Sequence, residues 1–186
     1  IQPMMYRLGK YKKTDPMSVL VCENYPILLV MSRFGIPLGF GDKTIEEVCR
    51  DNRVDVDTFL SITNCLLDED HAEVENTRFS IEAMMQYLHN SQVVYPYVTA
   101  LLKKDTLPKG YSIEVFSKQH DQVEAKLGEL KNILIKYYPA ESSNELNSVL
   151  FDIFTCEEDL ASHNYIEDAL FIPAIKKLEQ ERSKNV

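Results

Sequence analysis

The chain has 186 residues, the size of one domain or of two small ones. It is 45% hydrophobic and 26% charged, which excludes a disordered chain, and no apolar run approaches the ~18–20 residues of a membrane span. A net charge of −9 disfavours a nucleic-acid role, because affinity for phosphates comes mostly from lysine and arginine.

In chain order, the first clustered cations are Arg7, Lys10, Lys12 and Lys13, and residues 1–14 read as a solubilising tail. Asp15-Pro16 reads as an N-cap followed by proline in the first turn. The short helix behind it should pack Leu20, Leu28, Met31 and Phe34, with Pro26 bending or breaking it. A turn follows over 35–41, rich in glycine. Thr44 and Glu47 form a T-x-x-E capping box for a helix carrying Ile45, Val48 and Cys49. Asp55 caps the next, with Val56, Phe59, Leu60, Thr63 and Leu67 on one side. Residues 15–68 are therefore expected to form a small helical domain, and the acidic stretch 69–79 a solvated linker.

Longer helices are expected over 80–186. Ile81, Met84, Met85 and Leu88 mark the first. The clearest stripe is Ile113, Phe116, His120, Val123, Leu127, Leu130, Leu134 and Tyr137, in alternating steps of three and four. Ser142 and Glu145 form a second capping box and open the last helix. Its stripe is Leu146, Leu150, Ile153, Glu157, Leu160, His163, Glu167, Leu170, Ala174 and Leu178. Cys22, Cys49, Cys65 and Cys156 form no CxxC pair and sit in apolar helical contexts. They read as buried free thiols of a reducing, cytoplasmic compartment.

The chemistry lies in polar residues on apolar stripes. His163 and Glu167 are four residues apart, so they project side by side from one helix. His120 holds a core position on the neighbouring helix. A buried carboxylate needs a partner, and imidazole nitrogen with carboxylate oxygen suits non-haem iron, manganese or zinc. The metal-ligand candidates are His120, His163 and Glu167. A lone histidine on an apolar face also reads as a satisfied core residue, and His163 with Glu167 as a hydrogen-bonded pair. Glu124 and Glu157 read as solvated edges, His71 as exposed, and His89 as ambiguous. No G-x-S-x-G elbow, P-loop or G-x-G-x-x-G occurs.

Residues 163–175, with H-x-x-x-E followed by Phe171-Ile172-Pro173, resemble the ending of hemerythrin-like (HHE cation-binding) domains. Residues 118–127 resemble that family's third helix, which carries a single histidine ligand. Residues 15–68, with Arg33-Phe-Gly-Ile36 and 43–49, resemble the small N-terminal domain of the iron–sulfur cluster repair di-iron proteins. The resemblance implies an all-α chain: a small N-terminal helical domain, then a hemerythrin-like up-down four-helix bundle over 80–186. It implies a non-haem di-iron centre and iron handling or cluster repair under nitrosative or oxidative stress. The alternative is a module that binds or senses oxygen or nitric oxide without turnover. Implied partners are iron, small diatomic ligands and damaged iron–sulfur proteins, with no nucleic acid and no membrane; a homodimer is compatible with it.

The sequence departs from the family twice. Gly39 and Phe40 stand where the small domain usually carries adjacent cysteines. The family's ligands run His, H-x-x-x-E, His, H-x-x-x-E, and only the last two groups occur here. Residues 87–91 resemble helix one just before its first ligand, and 93–98 resemble the segment after the first H-x-x-x-E. The resemblance thus implies a missing segment of roughly 35–45 residues between Ser91 and Gln92, given bundle helices of ~25 residues. A Cα separation there well beyond ~3.8 Å would mark it. Without those ligands the centre is expected to be empty or partly filled.

Overall fold

The computed structural model describes residues 11–67, 78–88, 94–107, 110–117, 121–137 and 144–184. The junction at Ser91–Gln92, residues 69–77 of the expected linker, and His71, His89 and His120 lie outside the described residues. Among the described residues every regular element is a helix, beside one isolated bridge between Pro16 and Thr44. It divides into two compact units, Ile1–Tyr95 and Pro96–Val186.

The first unit holds α1 (Met17–Glu23), α2 (Ile27–Arg33), α3 (Ile45–Asp51), α4 (Val56–Leu67) and α5 (Ile81–Leu88). Pro26 breaks the first helix into α1 and α2, because proline cannot donate to the turn before it. Helix α1 starts one residue later than the Asp15 cap implies. Pro16 holds the N-cap position, and Asp15 instead accepts from Lys12 N at 2.9 Å. Helix α2 ends in a Schellman turn: Ile36 N donates to Met31 O and Gly35 N to Ser32 O. Gly35 takes φ +68 there, which only glycine adopts without strain. The Asp55 cap is present, its Oδ1 accepting from Thr58 N at 2.8 Å.

The capping box on α3 is complete. Glu47 N donates to the Thr44 hydroxyl, and Thr44 N donates to the Glu47 carboxylate. The Thr44 backbone bond, then its hydroxyl, hold the Glu47 carboxyl below its ordinary range. A lowered carboxyl contributes stability above its unfolded-state value and loses it as pH falls through the folded one. Thr44→Ala is expected to cost about 1 kcal/mol in urea denaturation at neutral pH. The gap from wild type should narrow on acidification; an unchanged midpoint would refute the cap's contribution.

Three expectations change in this unit. The tail does not stay in solvent throughout: Tyr11 is buried, its N donates to Asn64 Oδ1, and its hydroxyl donates to Glu23. Helix α5 packs on α2, through Tyr87 against Phe34 (centroids 5.3 Å apart) and Arg33. The unit boundary at Tyr95–Pro96 therefore lies beyond α5 rather than before it. Only Cys49 is buried among the cysteines; Cys65 is half-buried, and Cys22 and Cys156 are exposed. Burial pushes the Cys49 thiol up to about 12.

The second unit holds most of α6 (Val94–Lys103), then α7 (Ile113–Ser117), α8 (Asp121–Tyr137), α9 (Asn144–Ile166) and α10 (Ile172–Lys184). One π-helical turn, Glu167–Phe171, joins α9 to α10 without a break. Helices α6, α7 and α10 meet around Tyr97, Val98, Ile113, Phe116, Phe171 and Ile175, all buried. Glu179 of α10 accepts from the Tyr97 hydroxyl and from Ile113 N. Burial first, then the Glu179 carboxylate, push the Tyr97 phenol well above its ordinary value. Helices α8 and α9 form an antiparallel hairpin, pinned by the Lys131–Glu157 ion pair and by Asn164 donating to Glu124.

Candidate metal centre

The π turn places the candidate site. An α turn closes with i→i+4 bonds; here Ile172 N reaches back to Glu167 O, five residues away. Pro173 gives the cause. In an unbroken α-helix its missing N–H would orphan the Ala169 carbonyl, and its ring would press on it. Widening the preceding turn by one residue relieves that clash. π turns recur at functional sites because the extra residue re-aims a side chain.

Glu167 opens the turn and is only 1% exposed. Its Oε1 lies 3.2 Å from His163 Nε2, one turn earlier on α9. Two donors of one ion, each ~2.0–2.2 Å from it, stand at about that separation from one another. The imidazole is largely buried as well, and among the described residues no hydrogen-bond partner reaches its Nδ1. The sequence spacing therefore brings together His163 and Glu167. It supplies one nitrogen and one carboxylate donor in a place shielded from water. Their chemistry fits a borderline or hard cation such as non-haem iron. Among the described residues no third histidine, cysteine, aspartate or glutamate joins them. His120, the third candidate, lies outside the described residues.

The two glutamates read as solvated edges are engaged in pinning the hairpin. Glu124 accepts from Asn164, and Glu157 pairs with Lys131, whose Nζ also stands 5.0 Å above the Phe154 ring. Asn164, beside His163 and buried, carries no motif in the sequence. Its only signal is position, since an asparagine one residue off an apolar stripe looks like a surface residue. The π turn also shifts the stripe. Beyond Leu170 the buried residues are Phe171, Ile172 and Ile175, not the expected line through Ala174. The expected core line on α8 fails differently, since Val123, Leu130 and Tyr137 are exposed.

No known protein family, characterised protein or solved structure matches the chain.

Proposed function

We propose that the chain is a non-haem di-iron protein of iron handling or iron–sulfur cluster repair, acting under nitrosative or oxidative stress. The observation that carries the reading is the buried Glu167 carboxylate beside His163 on a π turn. A carboxylate and an imidazole withdrawn from water cost the fold several kcal/mol, and a bound cation offsets that cost. His163 and Glu167 are two proposed ligands, and His120 is the third. Glu124 bonds Asn164, and Lys131 pairs with Glu157, so α8 runs backward in number as α9 runs forward. His120 lies four residues before Glu124 in the sequence.

Iron held there supplies redox change and an open position for a small ligand. The chain's own residues do the rest. Glu167 would offer its carboxylate oxygens as donors to the metal. The His163 imidazole holds its ring against the carboxylate. Phe171, in the same π turn as Glu167, packs edge-on against Phe116.

A second reading, binding or sensing oxygen or nitric oxide without turnover, draws on the loop over 35–41. Gly39 stands at φ +93, a conformation a cysteine would rarely adopt. The loop thus favours glycine where the resembling family has a thiol.

Protein purified anaerobically is expected to hold iron stoichiometrically, and His163→Ala to lose it. Unchanged iron in that variant refutes the assignment. Restoration of a damaged cluster enzyme by the iron-loaded protein separates repair from sensing.

A further inference from the structure

A π turn has to be held in place. Its surplus residue can sit in any turn of a helix, since sliding it by one position exchanges one i→i−5 bond for one i→i−4 bond. Along 144–184 it sits at Glu167–Phe171, with Ile172 N bonded back to Glu167 O. After the turn, packing sets the phase of the helix. Phe171, Ile172 and Ile175 are buried, Phe171 stands edge-on to Phe116, and Glu179 accepts from the Tyr97 hydroxyl and from Ile113 N. Those contacts fix which way α10 faces.

Before the turn, side-chain bonds to α8 set the phase. Lys131 pairs with Glu157, and Asn164 donates to Glu124 two turns further along α9 and two turns back along α8. Asn164 is 9% exposed and lies three residues before Glu167, whereas Glu124 is exposed. A buried amide is costly unless it is hydrogen-bonded, and a leucine of similar volume would fill the same place without that cost. What the amide adds is direction, because it ties one angular position of α9 to one point on α8. Each helical residue turns by roughly 100°, so a surplus residue carried ahead of Glu167 would rotate the side chains between by up to about that angle. His163 and Glu167 would then straddle it. Their present approach, 3.2 Å from Nε2 to Oε1, belongs to α spacing.

We propose that Asn164 is a positioning residue of the candidate metal centre. Its bond to Glu124 fixes the phase of α9 immediately ahead of the π turn, and so keeps His163 and Glu167 one α turn apart, aimed as two donors of one ion. Glu124 acts through Asn164 and not as a donor itself, for among the described residues no third carboxylate, histidine or cysteine joins the pair. The phase lock stands on the hydrogen bond and the turn. The positioning of donors also rests on the metal reading above. Partners that orient metal ligands from outside the coordination sphere are commonly worth roughly 10–100-fold in affinity.

The test titrates the full chain with cobalt(II), whose visible bands report coordination, and follows the metal-free protein by amide hydrogen exchange. Asn164→Leu and Glu124→Ala should each bind cobalt(II) roughly 10–100-fold more weakly than wild type, with altered bands. Glu124→Gln keeps a side-chain carbonyl to accept from Asn164 and should bind as wild type does. The double variant Asn164→Leu with Glu124→Ala should bind no more weakly than either single one, because both remove the same bond. Without metal, the first two variants should exchange the Ile172 amide faster, since that amide closes the turn. Glu124 is on the surface, so Glu124→Ala carries the test if Asn164→Leu fails to fold. Wild-type affinity and bands in Glu124→Ala overturn the positioning role while the metal reading stands. A Glu124→Gln as weak as Glu124→Ala would make the charge, not the bond, the operative feature and overturn that role as well. A wild type that binds no cobalt(II) ends the metal reading and the donor role together, and unchanged Ile172 exchange ends the phase lock.

Discussion

Replacing His163 and Glu167 together by leucine is expected to stabilise the metal-free protein by up to about 4 kcal/mol. Exchanging a buried polar pair for packed apolar side chains of similar volume is often neutral to stabilising, by up to ~4 kcal/mol. The pair here is well shielded, with Glu167 1% exposed and His163 at 16%. His163→Leu alone should act in the opposite direction, costing about 1–3 kcal/mol, because the buried Glu167 carboxyl loses its imidazole neighbour. Metal adds a third readout. At a hundredfold excess over its dissociation constant it should stabilise the wild type by ~2.7 kcal/mol and the double variant not at all. Urea denaturation with and without iron measures all three. A double variant that loses more than about 2 kcal/mol without metal would make the pair a structural element of the core. The metal reading would then lose its main support.

In the first unit the largest effect is expected at Phe59. It is fully buried on α4, 5.9 Å from Phe34, which in turn meets Tyr87 of α5. Phe59→Ala removes the ring that joins α4 to this aromatic row and should cost about 3–5 kcal/mol. That is a large fraction of the ~5–15 kcal/mol that holds an ordinary domain folded. Phe59→Leu keeps most of the volume and should cost under ~1.5 kcal/mol. The urea midpoint followed by circular dichroism, at constant slope, distinguishes the two. A loss below about 1 kcal/mol for Phe59→Ala would mean that neighbouring side chains collapse into the space and that the row is not a keystone.

The parts of the fold legible in the sequence are those decided within one turn of chain. Thr44 with Glu47, Asp55 with Thr58, Pro26 and Gly35 each fix a helix end by local hydrogen bonding or backbone geometry. The adjacency of His163 and Glu167 is likewise a property of one helix. What could not be read depends on partners far away in sequence. Periodicity marks Val123, Leu130 and Tyr137 as apolar, but not what covers them, and within one chain they meet solvent. Tyr11 looked like part of a solvated tail because its partners, Asn64 and Glu23, lie on other elements. Helix α5 follows the linker in sequence, yet Tyr87 finds Phe34 behind it. At the candidate site, a period of 3.6 does not hold beyond Glu167, because the wider turn shifts the phase of the residues after it.

That turn bears on how the protein could have arisen and how it could be lost. A π turn contains one residue more than the α turn it replaces, so it can be made by inserting a single codon and removed by deleting one. Helix 144–184 is therefore two α-helical stretches about 100° out of step, with Glu167 at the joint. Deleting one codon within 167–171 would bring the stretches into step and swing Phe171, Ile172 and Ile175 out of line with α7. Point substitutions in this region alter one contact at a time. A one-residue length change alters the facing of the entire last helix, so within 167–171 chain length is more constrained than residue identity.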